Sequence, residues 1–279
     1  MDPRGRFAYV ANRGNDTIGA YAINGTTGAL TPVPGSPFSV PIDHSKPGFP
    51  APGTMPCSVT VHATATGEAL SVADSFQNDI WEYVINETTG VLALSPTSPF
   101  SVPGGPYSVK ANSSGPFVYA SNSYPSYPTG SVAGYTIDAV TGSLTAVPGS
   151  PFVAGDVPVG AAVDHGGRFV YTANQGSWMN NFTGTVSAYT VDASTGALTP
   201  VPGSPFAAGL EPTSVATAPG LGPAPVVRQR RKGPNPPVKG PMNLNAPATF
   251  LVGVQALFLA PQQPKTHPFK INHLRNAFL

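Results

Sequence analysis

Apolar and polar residues alternate with a period of two in short bursts along residues 1–219, and glycine, proline, asparagine or aspartate closes each burst. That period puts successive side chains on opposite faces of an extended chain, so each burst reads as a β-strand. Four kinds of burst recur. The first follows a proline: "PCSVTV" from Pro56, "PYSVKA" from Pro106, "PVGAAV" from Pro158 and "PTSVAT" from Pro212. The second is "RFAYVAN" from Arg6, weakened to "EALSVAD" from Glu68, then "PFVYASN" from Pro116 and "RFVYTAN" from Arg168. The third is "TIGAYAI" from Thr17, "DIWEYVI" from Asp79, "SVAGYTI" from Ser131 and "TVSAYTV" from Thr185. The fourth is short and proline-limited, as in "LTPVPGSPF" from Leu30. Proline has no N–H for a central ladder, so this burst is expected at the outer edge.

The bursts form a repeat. "SPF" ends at Phe38, Phe100, Phe152 and Phe206, and a "TG-x-L" turn has its glycine at Gly28, Gly90, Gly142 and Gly196, spaced by 62, 52 and 54 residues. A period of about 50 without helical patterning predicts blades of four antiparallel strands, hence an all-β propeller. Asn24, Asn86, Asp138 and Asp192 open the turn between the third and fourth strands, each with glycine four residues later. Short polar side chains close such turns on their own backbone and glycine takes the positive φ. Asn12, Asp74, Asn122 and Asn174, which end the second strand, are likewise expected to cap turns.

The phrase "GRFAYVAN…TIGAYAINGTTGALTPVPGSPF" resembles the repeat of the lactonase-type seven-bladed β-propellers, which include the propeller-class 6-phosphogluconolactonases and many bacterial surface or periplasmic repeat proteins. The resemblance covers residues 1 to about 219. It implies a propeller fold with seven blades, of which about four are present. The patterning starts at a second strand and ends on a lone first strand, Pro212 to Ala218, giving sixteen strands. Two arrangements are open: part of a larger propeller, or a four-bladed ring closed by pairing Pro212 to Ala218 beside Arg6 to Asn12. An open arc would expose blade faces carrying Phe117, Tyr119 and Tyr135 and invite self-association.

Charge divides the chain. Residues 1–219 hold all 13 acidic residues, whereas residues 220–279 hold eight basic residues and no acid. Residues 220–279 are therefore expected to lie outside the repeat fold, as a basic, proline-rich, low-complexity tail. A frameshifted or misassembled end, a disordered linker with a small apolar segment, and a basic binding module all fit that composition. The run from Arg228 to Lys232 lacks interleaved aromatics and a nucleic-acid fold, so no nucleic-acid partner is expected. The longest apolar run, Ala248 to Ala260, has 13 residues and falls short of a bilayer span. No signal peptide is visible at the N-terminus, which places the chain in the cytoplasm as encoded, although many members of the resembled family are periplasmic or extracellular.

The five histidines show no i, i+4 pairing and Cys57 is the sole cysteine, so no metal site, disulfide or cofactor is expected. The resemblance implies hydrolysis of a small sugar lactone by base-activated water at the channel mouth. The alternative is a non-catalytic scaffold or binding propeller of the bacterial envelope, which the near-identical blades favour. Lactone hydrolysis needs a base and cationic or N–H donors converging on one pocket. Three residues are candidates. Lys110 stands where the other first strands have Thr60, Ala162 and Ala216, while His62 and His165 are expected in loops just after first strands. Arg6 and Arg168 recur in "G-R-F" and are expected to build blades.

Overall fold

A computed structural model describes residues 2–43, 53–126 and 129–218, with the side chains of residues 124–126 left aside. The tail expectations for residues 220–279 lie outside the described residues. The described residues form four antiparallel sheets. Blade 1 contains β1 (Phe7–Asn12), β2 (Thr17–Ile23), β3 (Leu30–Pro32) and β4 (Phe38–Ser39). Blade 2 contains β5 (Pro56–Thr64), β6 (Gly67–Asp74), β7 (Asp79–Ile85), β8 (Leu92–Leu94) and β9 (Phe100–Ser101). Blade 3 contains β10 (Pro106–Ala111), β11 (Phe117–Ser126), β12 (Thr129–Ile137), β13 (Leu144–Ala146) and β14 (Phe152–Asp156). Blade 4 contains β15 (Pro158–Val163), β16 (Phe169–Asn174), β17 (Thr183–Val191), β18 (Leu198–Pro200) and β19 (Phe206–Leu210).

The outer strand differs from the single fourth strand expected. In each blade it is two short strands, both paired to the third strand, as β3 and β4 pair with β2. The interruption coincides with the prolines, which cannot donate. Between the two pieces the loop itself satisfies the strand. Ser36 Oγ accepts the Ala20 N–H at 2.9 Å, and the Val33 N–H donates to the Ala20 carbonyl at 3.0 Å. The serine of "SPF" does the same at Glu82, Gly134 and Ala188.

The expected turn caps are present. Asn24 Oδ1 accepts the N–H groups of Thr26 and Thr27, and Asp192 Oδ1 those of Ser194 and Thr195. Asn12, Asn122 and Asn174 donate to Thr17, Ser131 and Thr185 across the base of their hairpins. Asp74 has no donor to offer and instead accepts N–H bonds from Met55, Phe76 and Gln77. Arg6 ties Asp2, Glu68 and the Glu87 carbonyl together, which is a blade-building role.

Three apolar clusters lie between successive blades. Phe7, Tyr9, Leu70, Val72 and Tyr83 fill the first joint; Ala73, Val109, Val118 and Tyr135 the second; Phe117, Tyr119, Val170 and Tyr189 the third. Each fully buried large side chain contributes about 1.5–3 kcal/mol relative to exposure. Phe117, Tyr119 and Tyr135, anticipated on exposed faces, are 4%, 0% and 6% exposed because the neighbouring sheets cover them.

Pro212 to Ala218 is not a strand and does not pair beside Arg6 to Asn12. It runs along β15: Thr217 Oγ1 donates to the Val163 carbonyl at 2.9 Å, and Ser214 Cα stands 3.0 Å from where a Gly160 Cβ would sit. Among the described residues no helix is long and apolar enough to cross a membrane.

Candidate functional site in the central channel

The starts of the first strands and the ends of the second strands converge on a cavity of about 390 Å³, lined by Ala11, Arg13, Pro56, Cys57, Tyr107, Val159, Gln175 and Thr213. The repeat explains this set. Cys57, Tyr107, Val159 and Thr213 each follow the proline that starts a first-strand segment, while Arg13 and Gln175 each follow the asparagine that ends a second strand. Pro56 and Ala11 belong to the repeating pattern that builds the blades, whereas the other lining positions differ from copy to copy.

Arg13 is exposed, and its guanidinium lies over the Tyr107 ring, 5.7 Å from the centroid. A cation held over an aromatic face keeps its N–H groups available at the ring edge. The Gln175 backbone N–H donates to the Val157 carbonyl at 2.9 Å, and the residue lines the cavity. Cys57 Sγ–H donates to the Met55 carbonyl at 3.3 Å, and Ser75 Oγ lies 3.1 Å from the sulfur. Burial pushes this thiol up, opposed by Ser75 and the charge of Arg13, which disfavours the thiolate. Behind the lining Asp74 is fully buried with Oδ2 unpartnered, and burial raises its carboxyl against the three N–H bonds.

None of the three residues singled out in the sequence lines this cavity. His62 is within β5 rather than in a loop; it is buried, with Nε2 3.1 Å from Glu82 Oε2. Lys110 lies in β10 opposite Tyr119, half-buried, with its ammonium lowered by burial and no ion pair among the described residues. His165 is exposed in the loop after β15, where its carbonyl accepts Ser113 Oγ. No hydrogen bond or ion pair joins the three. No group of three or more His, Cys, Asp or Glu able to hold a metal ion occurs among the described residues. Sequence reasoning passed over Arg13, Tyr107 and Gln175, although each departs from its counterparts in the repeat.

Residues 104–217 match the family model described as "Lactonase, 7-bladed beta-propeller". This stretch, less than half of the chain, is similar to the lactonase propeller family. It spans all of blades 3 and 4 and most of the following segment, and so contributes Tyr107, Val159, Gln175 and Thr213 to the cavity. Among solved structures, a provisionally assigned 6-phosphogluconolactonase from Bacteroides fragilis superposes with a TM-score of 0.57 at 19% identity, over 76% of this chain and 54% of that one. Another from Bacteroides uniformis gives 0.58 at 13% identity, over the same shares. At these identities the likeness is one of fold. The chain spans about half the length of both. No curated protein matches it.

Proposed function

We propose that the chain is a lactonase-type propeller that recognises a sugar lactone, or the sugar acid formed from it, in the channel cavity. The observation that carries this reading is the exposed Arg13 guanidinium seated over Tyr107 at a cavity of mixed polar and apolar lining shared with Gln175 and Thr213. The cavity has the size of a small-molecule site. Arg13 supplies N–H donors for a carboxylate, a phosphate or the developing oxyanion of a lactone carbonyl, and Gln175 and Thr213 suit sugar hydroxyls. In the hydrolytic reaction water oxygen bonds to the lactone carbonyl carbon, the ring C–O bond breaks, and the proton from water ends on the ring oxygen.

A second reading, a binding propeller without catalysis, is favoured by one feature: among the described residues no imidazole or carboxylate lines the cavity to act as a general base. One experiment separates the two. Aldonolactones, their phosphorylated forms and the corresponding acids are titrated calorimetrically, and lactone opening is followed by pH-stat. Binding that weakens roughly 10–100-fold in Arg13→Ala supports the channel site, as expected for loss of a charge-assisted hydrogen bond. Turnover above the buffer rate selects the hydrolase; binding without turnover selects the second reading. Absence of binding by the folded chain removes both.

A further inference from the structure

The joint between blades 2 and 3 is built differently from its neighbours. In the first joint Phe7 covers the turn of blade 2, where a Gly90 Cβ would meet Phe7 Cδ1 at 2.5 Å, and Tyr9 Oη donates to the Gly90 carbonyl at 3.1 Å. In the third, Phe117 and Tyr119 treat Gly196 in the same way. Blade 2 has Ala69 and Ser71 at the corresponding positions, and nothing lies within 4 Å of the Cβ position of Gly142. The space left is a cavity of about 40 Å³ whose lining includes Thr64, Thr66, Glu82, Ser95, Val140 and Gly142.

A glutamate, Glu82, is on the lining of that space. Glu82 stands where the other third strands have Ala20, Gly134 and Ala188. It is 1% exposed; Oε2 faces His62 Nε2 at 3.1 Å, and Oε1 is buried without a partner. Ser71 Oγ, opposite Glu82 in the ladder, is also buried without a partner. Leaving a carboxylate oxygen dry and unpaired is costly, so an electropositive group belongs there. The other acid on the lining, Glu68, is already matched by Arg6 at 3.3 Å and Arg4 at 3.8 Å.

We propose that this joint binds one monovalent metal cation, Na⁺ or K⁺, on Glu82 Oε1 and neighbouring hydroxyl and carbonyl oxygens. Charge selects the valence: with Glu68 neutralised, one carboxylate remains to be matched. Size excludes organic ligands. A water needs roughly 10–15 Å³ of such volume, so the cavity holds about three waters or a cation with one or two. Oxygen donors suit a hard cation. Val84 and Val140, on the lining, are 50% and 76% exposed, which gives the ion a way in. The site is independent of the channel reading.

The test is thermal unfolding of the full chain in NaCl, KCl and tetramethylammonium chloride at equal ionic strength, for the wild type and Glu82→Gln. Tetramethylammonium is too large for the cavity. The wild type is expected to unfold at a higher temperature in one or both alkali salts. A cation at ten times its Kd raises the folding equilibrium about elevenfold. Glu82→Gln is expected to melt alike in all three. Identical wild-type curves in the three salts overturn the proposal. An alkali effect that survives in Glu82→Gln overturns it too, because the ion then binds elsewhere. Should Glu82→Gln not fold, Rb⁺-soaked crystals decide: an anomalous peak beside Glu82 is expected, and its absence there overturns the site.

Discussion

The Tyr119 hydroxyl donates to the Gly196 carbonyl at 2.9 Å, joining blade 3 to the turn of blade 4 while the ring of Phe117 lies where a Gly196 side chain would be. Gly196 takes φ +74°, as Gly142 takes +72°, so both positions disfavour a side chain by backbone alone. Only Gly196 adds a packed neighbour. Gly142→Ala is expected to cost about 1–2 kcal/mol for the left-handed backbone. Gly196→Ala is expected to cost about 1–3 kcal/mol more, because Phe117 must move. Urea titrations of both variants check the difference; equal losses would show that the aromatic plug does not bear on stability.

Ser150 Oγ accepts the buried Gly134 N–H at 3.0 Å in the gap between β13 and β14. Ser150→Ala leaves that donor without a partner and is expected to destabilise by about 1–3 kcal/mol. Ser113→Ala, at an exposed hydroxyl, is expected to change stability by no more than about 0.5 kcal/mol. Chemical denaturation of the pair measures the contrast.

The Asp192 carboxyl is held down at about 2, first by the Ser194 hydroxyl and then by the N–H groups of Thr195 and Ser194. A depressed carboxylate contributes stability above its unfolded value of about 3.9 and loses it as pH falls through the folded value. The contribution of this turn is therefore expected to vanish between about pH 4 and pH 2. A carboxyl-carbon NMR titration should give a midpoint near 2 for Asp192. Asp192→Asn should flatten that part of the acid limb of stability.

Cys57 faces the channel with its thiol pushed up by burial. Its reaction with a disulfide reagent is expected to be slow at pH 7 and to keep accelerating above the ordinary thiol value of about 8.5. A sugar acid bound over Arg13 and Tyr107 is expected to slow it further. Unchanged modification under saturating ligand would place the ligand away from the channel.

Much of the fold was legible because a propeller is written in local chemistry. Period-two patterning marks strands, Asn24 and Asp192 mark turns, and prolines mark the outer edge; each acts within a few residues of itself. The split of that edge was less legible, because it depends on Ser36 reaching back to Ala20 across sixteen residues.

The candidate site was legible only in part. Lys110, His62 and His165 stood out for side-chain chemistry, and the structure distributes them to a half-buried strand position, a buried blade joint and an exposed loop. Arg13 and Tyr107 are 94 positions apart, and nothing local says that their strand ends share one channel. Sequence by itself determined the inner strands of the blades, the turns, the blade order and the family likeness, since those follow from backbone preferences and side-chain alternation. Tertiary structure alone decided which variable positions face the cavity and that Glu82 is buried beside His62. Those outcomes depend on how neighbouring blades pack, and sheet packing is a relation between residues the chain keeps far apart.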